Sequence, residues 1–302
     1  MWDKAPAHGP YQAPAPSRYP PPVRLAWATD IHLDFLDDDG VRRFAAELAA
    51  PKADALLLSG DLSHAESLEH HLRLLAQGVP GPIYFVLGNH DYYGSSIEAV
   101  RTAVLDLGAR RPRLSWLPAA GVVRLTDRTA LVGCDGWADA RLGNPDTTPV
   151  VLNDFFHIEE LAATIDQGAR ANPKLFRGTD RSRLHAALRA RGDAEAQVLR
   201  RLLRDALREF EHALVVTHVP PFAAACWHEG RHSDGDWQPY FTCAAVGDVL
   251  REAAAVQPAR RITVLCGHTH GAGEAQILEN LCVLTGGAEY RRPVLQRVLD
   301  VA

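Results

Sequence analysis

Several things are scarce in this sequence, and each scarcity excludes something. No run of about 18 apolar residues exists, which removes a membrane-spanning helix. Met1–Pro22 holds seven prolines and lacks the apolar centre of a signal peptide, so secretion is disfavoured and a cytoplasmic protein without a membrane partner is expected. Cysteine is sparse and badly placed for pairing. Cys134, Cys226, Cys243, Cys266 and Cys282 are an odd, widely spaced set without a CxxC pair, which gives a zinc ribbon no support and suits reduced thiols. Positive charge is not in excess either: 32 Lys and Arg stand against 37 Asp and Glu, a net −5. Nucleic acid is therefore an unmotivated partner, although a local patch is not excluded. Lysine occurs only at Lys4, Lys52 and Lys174, a bias of composition that carries no functional reading.

What is present describes an ordinary globular protein, 302 residues long, 47% apolar and 23% charged. At this length folding buries roughly three quarters of the surface exposed by the unfolded chain, so no structural metal is required. A metal, if bound, serves chemistry. Residues 1–22 read as a Pro-rich arm and 23–302 as the folded domain. Apolar runs predict strands at Val23–Thr29, Ala55–Ser59 and Ile83–Leu87, each followed by an amphipathic helix, at Val41–Ala50, Ala65–Gln77 and Ser95–Leu107. Three β-then-α units imply a parallel sheet, with ligands gathering at the carboxyl ends of its strands. Residues 136–212 read as a helical insertion or lid, with helices at Ile158–Arg170 and Ala194–Glu211. Strands resume at Ala213–Thr217 and Ile262–Cys266 around a helix at Cys243–Ala255, and a meander over 275–299 closes the chain.

Five predicted strands run straight into polar residues: Asp30-Ile31-His32, Gly60-Asp61, Gly88-Asn89-His90-Asp91, Thr217-His218 and Gly267-His268-Thr269-His270. Carboxylate, imidazole and amide oxygen without thiol suit a hard-to-borderline divalent cation such as Mn, Fe, Zn or Co. In Asp-x-His and His-x-His, extended backbone places both side chains on one face. Gly60, Gly88 and Gly267 allow tight turns and close backbone approach where strands end, and fit equally as plain turn glycines.

In these residues and their order, from about Arg24 to Leu299, the sequence resembles the calcineurin-like metallophosphoesterases. The resemblance implies a four-layer α/β/β/α sandwich of two mixed sheets, a metal-dependent phosphoesterase activity and two divalent metal ions. By position, Asp30, His32, Asp61 and His270 would hold one metal, and Asp61, Asn89, His218 and His268 the other. Asp61 would bridge. A hydroxide between the metals would attack a phosphoester in line, generated at neutral pH by lowering the pKa of bound water. His90 would donate to a phosphoryl or leaving oxygen, and Asp91 would orient its ring and keep it protonated.

Departures from the resembled pattern bear on substrate. Gly60-Asp61-Leu62-Ser63-His64 lacks the phosphate-gripping arginine of the Ser/Thr phosphatases of this superfamily. His64 stands where purple acid phosphatases carry a tyrosine, so a divalent, colourless site is expected. The likeness to small bacterial phosphodiesterases favours a small or nucleotide-like phosphodiester substrate, with a phosphomonoesterase or nuclease as the alternative. Tyr92-Tyr93, Gly136-Trp137, Trp227, His228, Trp237 and Tyr240 would either stack on a base or pack loops onto the domain. Arg231 and His232 would either hold a phosphate or tip a solvated loop. Asp135, Asp154 and His157 fall in a region expected to approach the site.

Overall fold

The structure, a computed structural model, describes residues 22–302. The arm expected at 1–22 lies outside the described residues, except for Pro22. In chain order the first strands are β1 (Val23–Ala28), β2 (Ala55–Ser59), β3 (Ile83–Val86), β4 (Leu114–Trp116), β5 (Val123–Arg124), β6 (Thr129–Gly133) and β7 (His212–Val216). Then follow β8 (Trp227–His228), β9 (Arg231–His232), β10 (Arg261–Cys266), β11 (Gly273–Leu278), β12 (Leu281–Thr285) and β13 (Arg297–Val301). One sheet runs β13-β1-β2-β3-β4 and a second runs β11-β12-β10-β7-β6-β5, with β8 and β9 forming a small separate ribbon. β1 to β4 are mutually parallel, as are β6, β7, β10 and β12, and antiparallel strands sit only at the sheet edges.

Period-two alternation explains why the central strands are apolar on both faces. Leu25 and Trp27 of β1, Leu57 of β2 and Val86 of β3 turn inward against Leu131, Leu214, Val216 and Leu265 of the second sheet. The residues between them, Ala26, Ala28, Leu56, Leu58 and Phe85, turn outward under the helices Asp38–Ala49, Leu68–Gly78 and Ile97–Arg110. On the other side Val132, Ala213, Val215 and Val264 lie under the helices Ser182–Glu209 and Ala244–Val256. A strand buried on both faces reads as a continuous apolar run. Two sheets with helices outside give the expected four layers.

The middle of the chain departs from expectation in extent. The helix predicted at 194–211 begins already at Ser182, and from Ala196 its stripe Leu199, Leu203 and Ala206 packs on the second sheet as part of the outer layer. Its i, i+3, i+4 spacing makes it a wall of the sandwich. Only the stretch before it is loop-like, with the short helices Asp154–His157, Glu159–Ala162 and Gln167–Ala171 in place of one helix over 158–170. All five cysteines are free, four of them buried. No helix among the described residues is long and apolar enough to cross a membrane.

Candidate metal centre

Asp30 and His32 follow β1, Asp61 follows β2, Asn89 and His90 follow β3, His218 follows β7, and His268 and His270 follow β10. Parallel strands deliver their carboxyl ends to one edge, so both sheets bring these residues to a single rim. The turns that follow are tight. Of the nine non-glycine residues with positive φ among the described residues, five are Asp30, His32, Asp61, His268 and His270. The left-handed conformation costs about 1 kcal/mol or more per residue, least for Asp and Asn, and is retained where the surroundings over-determine it. Close approach is equally demanding: a Cβ at Gly88 would lie 2.1 Å from Asp61 Oδ1, and one at Gly267 2.0 Å from Asp30 Oδ2.

The eight side chains form two groups joined by one carboxylate. In the first, His32 Nε2 lies 3.2 Å from His270 Nε2, and His270 Nε2 lies 3.5 Å from Asp30 Oδ1. In the second, Asn89 Oδ1 lies 3.0 Å from His218 Nε2 and 2.9 Å from His268 Nδ1, and the two ring nitrogens are 3.3 Å apart. Asp61 points Oδ1 at His218 Nε2, 3.3 Å away, and Oδ2 at His32 Nε2, 3.8 Å away. His90 Nε2 approaches the same Oδ2 at 4.0 Å.

The second group is built entirely of acceptors. His218 Nδ1 faces the Ser59 carbonyl at 2.9 Å and His268 Nε2 faces the Tyr240 carbonyl at 2.9 Å, so each of those nitrogens donates. In the neutral rings, His218 Nε2 and His268 Nδ1 then carry lone pairs. Asn89 Nδ2 donates to Asp154 Oδ1 at 2.9 Å, which leaves Oδ1 facing the rings. With both rings neutral, four acceptors meet, an arrangement that only a cation, whether a proton on His218 or a metal, makes favourable. The buried charges make the same demand. Burial opposes charge on His218, yet Asp61 beside it, together with Asp30, pushes its ring up to about 10. Burial and the charge on His218 push His268 down to about 4, and burial takes His32 down to about 3. Burial would raise Asp61, but His218, His90 and His32 hold its carboxyl well below the usual range. One positive charge is held where a metal would stand, and the donor set fits divalent cations in both groups.

The sequence matches the calcineurin-like phosphoesterase family over residues 23–272. The chain belongs to that family. Its members use a dinuclear divalent metal centre, and this phosphoesterase is a metal-dependent phosphoester hydrolase. No curated protein matches its sequence. Among solved structures it resembles a phosphopantetheinyl hydrolase from Mycobacterium tuberculosis, with TM-score 0.58 and 14% identity, covering 93% of this chain and 96% of that one. A dimetal phosphatase from Danio rerio follows, with TM-score 0.51 and 14% identity, covering 89% of this chain and 88% of that one. A protein of Thermus thermophilus gives TM-score 0.50 and 13% identity, covering 88% of this chain and 89% of that one. These likenesses establish a shared fold.

One expected role in the phosphoesterase is corrected. Asp91 does not orient the His90 ring. Its Oδ1 accepts from the backbone N–H of Leu62 and Ser63, and its Oδ2 from Gly88, which staples the two loops carrying Asp61 and Asn89. His90 Nδ1 is buried with no partner among the described residues, and the ring is held instead by stacking on Tyr93, centroids 4.3 Å apart. Backbone donors reach Asp91 because it lies inside the short 3-10 turn His90–Tyr92, where its carboxylate meets the N–H of Gly88 three residues before it and those of Leu62 and Ser63.

The residues expected either to line the site or to pack loops divide between the two roles. Tyr92 is buried, donating its hydroxyl to Asp135, and Asp135 is held by Arg101 and Trp116 in the core. Trp137 packs on Tyr92. Tyr240 contributes its carbonyl to His268, while Trp227 packs on His232 and Arg231 is exposed on the small ribbon. His228 and Trp237 do line the cavity of about 250 Å³ over the centre. An outer cavity of about 610 Å³ adjoins it, sharing His90, Tyr93, Asn153 and Tyr290, with Phe35, His64 and His157 on its walls. Tyr290 and Phe35 were not expected. Tyr290 lies 4.7 Å from the His32 ring and 4.9 Å from His270, yet it sits in an irregular loop with no motif to mark it.

Proposed function

We propose that this phosphoesterase cleaves a small phosphodiester with a planar, nucleotide-like substituent, using two divalent cations drawn from Mn, Fe, Zn and Co. Asp30, His32, Asp61 and His270 would hold one cation and Asp61, Asn89, His218 and His268 the other. When bound, such cations supply Lewis acidity towards phosphoryl oxygens and a water acidified to near neutral pH as nucleophile. The Asp61 carboxylate, shared by both groups, would offset repulsion between them. His90 lines both cavities, half-buried at their junction, and donates its N–H to a phosphoryl or leaving oxygen. Tyr93, stacked on that ring, limits its rotation without a carboxylate partner. Tyr93, His157, Phe35 and Tyr290 offer flat faces on which a base or aryl group can stack.

The diester reading rests on the lining of the two cavities, which contains no Lys or Arg among the described residues. A monoester dianion gains more from cationic side chains beside the metals than a singly charged diester does. The diester instead needs room for a second substituent, and a space of about 610 Å³ beside the centre supports that. The test is a parallel assay of Mn-loaded protein on bis(p-nitrophenyl) phosphate and p-nitrophenyl phosphate, with His90→Ala as control. Preference for the diester is expected, and preference for the monoester would overturn the assignment.

A further inference from the structure

Residues 152–159 belong to no motif of the metal centre, yet they are fastened to the loop beside it. Gly94 N–H donates to the His157 carbonyl at 2.9 Å, Glu159 N–H donates to the Ser95 carbonyl at 3.1 Å, and Ser95 and Ile158 form a parallel bridge. This contact carries the buried Asp154 to the back of Asn89. Asp154 Oδ1 accepts from Asn89 Nδ2 at 2.9 Å and from the Tyr93 hydroxyl.

We propose that Asp154 is a positioning residue that selects which end of the Asn89 amide faces the cation groups; this rests on the dinuclear reading above. The two ends of a carboxamide have almost the same shape but opposite hydrogen-bonding character. With Oδ1 forward, Asn89 adds a fourth acceptor to those of Asp61, His218 and His268. Flipped, its NH₂ would donate to His218 Nε2 and His268 Nδ1, which lie 3.0 and 2.9 Å from the forward atom. That orientation satisfies both lone pairs and closes the group to a metal. With both rings neutral, the state that metal binding requires, it competes with the cation unless something opposes it. Asp154 opposes it, because a flip would turn the amide oxygen onto a buried carboxylate and strand both. The same oxygen anchors Tyr93, whose ring lies against His90, so one carboxylate sets a proposed ligand and the wall beside the proposed acid.

The experiment uses the whole chain, stripped of metal and titrated with Mn²⁺ by calorimetry and electron paramagnetic resonance, with circular dichroism to check folding. Wild type is expected to take two Mn²⁺ and show the spectrum of a coupled pair. Asp154→Ala, and Asp154→Leu, which fills the space without an acceptor, should bind the second Mn²⁺ roughly 10–100-fold more weakly and show an isolated-ion spectrum. Asp154→Asn keeps an oxygen able to accept both bonds and should restore the coupled pair. Wild-type affinity and coupling in the Ala or Leu variant would overturn the proposal. So would an Asn variant as impaired as the Leu variant, or loss of fold in both Ala and Leu variants. A wild type that takes up fewer than two Mn²⁺ would instead overturn the dinuclear reading.

Discussion

Asp61 Oδ1 lies 3.3 Å from His218 Nε2, and this short contact joins the two sheets, since Asp61 follows β2 and His218 follows β7. The other oxygen of Asp61 turns to His32, so a single carboxylate touches both donor groups. Asp61→Ala should therefore empty both groups together. Metal analysis is expected to fall from two ions per chain to less than one, with activity down by about 10³-fold or more. Retention of one tightly held ion would show that Asp61 is not shared.

His90 separates chemistry from metal binding. His90→Ala should keep both ions and lose kcat by roughly 10²–10⁴-fold, the usual contribution of a general acid, with little change in KM. An empty centre in this variant would make His90 a ligand, consistent with its 4.0 Å approach to Asp61, and would remove its role as donor.

A methyl group at residue 88 tests whether the loops are as tightly set as they look. Gly88→Ala puts Cβ 2.1 Å from Asp61 Oδ1 and 2.3 Å from the Asp61 backbone nitrogen. It should weaken metal uptake and lower stability by about 1–3 kcal/mol. Gly94→Ala is the control, because nothing lies within 4 Å of its Cβ and only its φ of +80° is strained. A cost of about 1 kcal/mol with normal metal uptake is expected there. Equal metal loss in both variants would implicate backbone flexibility over the specific clash.

Acid sensitivity should have a contribution far from the centre. His212, at the start of β7, is pushed down to about 4 by burial and by Arg261, whose Nη2 lies 3.3 Å from its Nδ1. The unfolded chain therefore takes up a proton near pH 6.5 that the folded chain refuses until about pH 4. The stability His212 contributes is complete above pH 6.5 and is lost as the pH falls through that window. Urea unfolding of wild type and His212→Gln at pH 7 and 4.5 should differ in pH dependence by on the order of 2 kcal/mol, with wild type the more acid-sensitive. Parallel slopes would exclude His212.

Much of this was readable in one dimension. Apolar runs located the central strands because both faces of each are buried, and the helices after β1, β2 and β3 showed their stripes plainly. The edge strands β4 and β5, three and two residues long, left too short a pattern to see. The proposed ligands stood out because each follows a strand directly and is of metal-binding type. Asp91 misled for the same reason: adjacency to His90 in the chain suggested contact, whereas backbone donors of Leu62 and Ser63, 29 and 28 residues away, claimed its carboxylate.

The chain thus carried, in local order alone, the strands, the donor types and the places where strands give way to them, because these depend on period-two burial and on neighbouring residues. Packing two sheets face to face decided the rest. It set which oxygen of Asp61 meets which imidazole, brought Asp154 from 65 residues away behind Asn89, and laid Tyr290 over His32. Such contacts rest on distances between remote segments, and no spacing along the backbone encodes them until those segments are folded together.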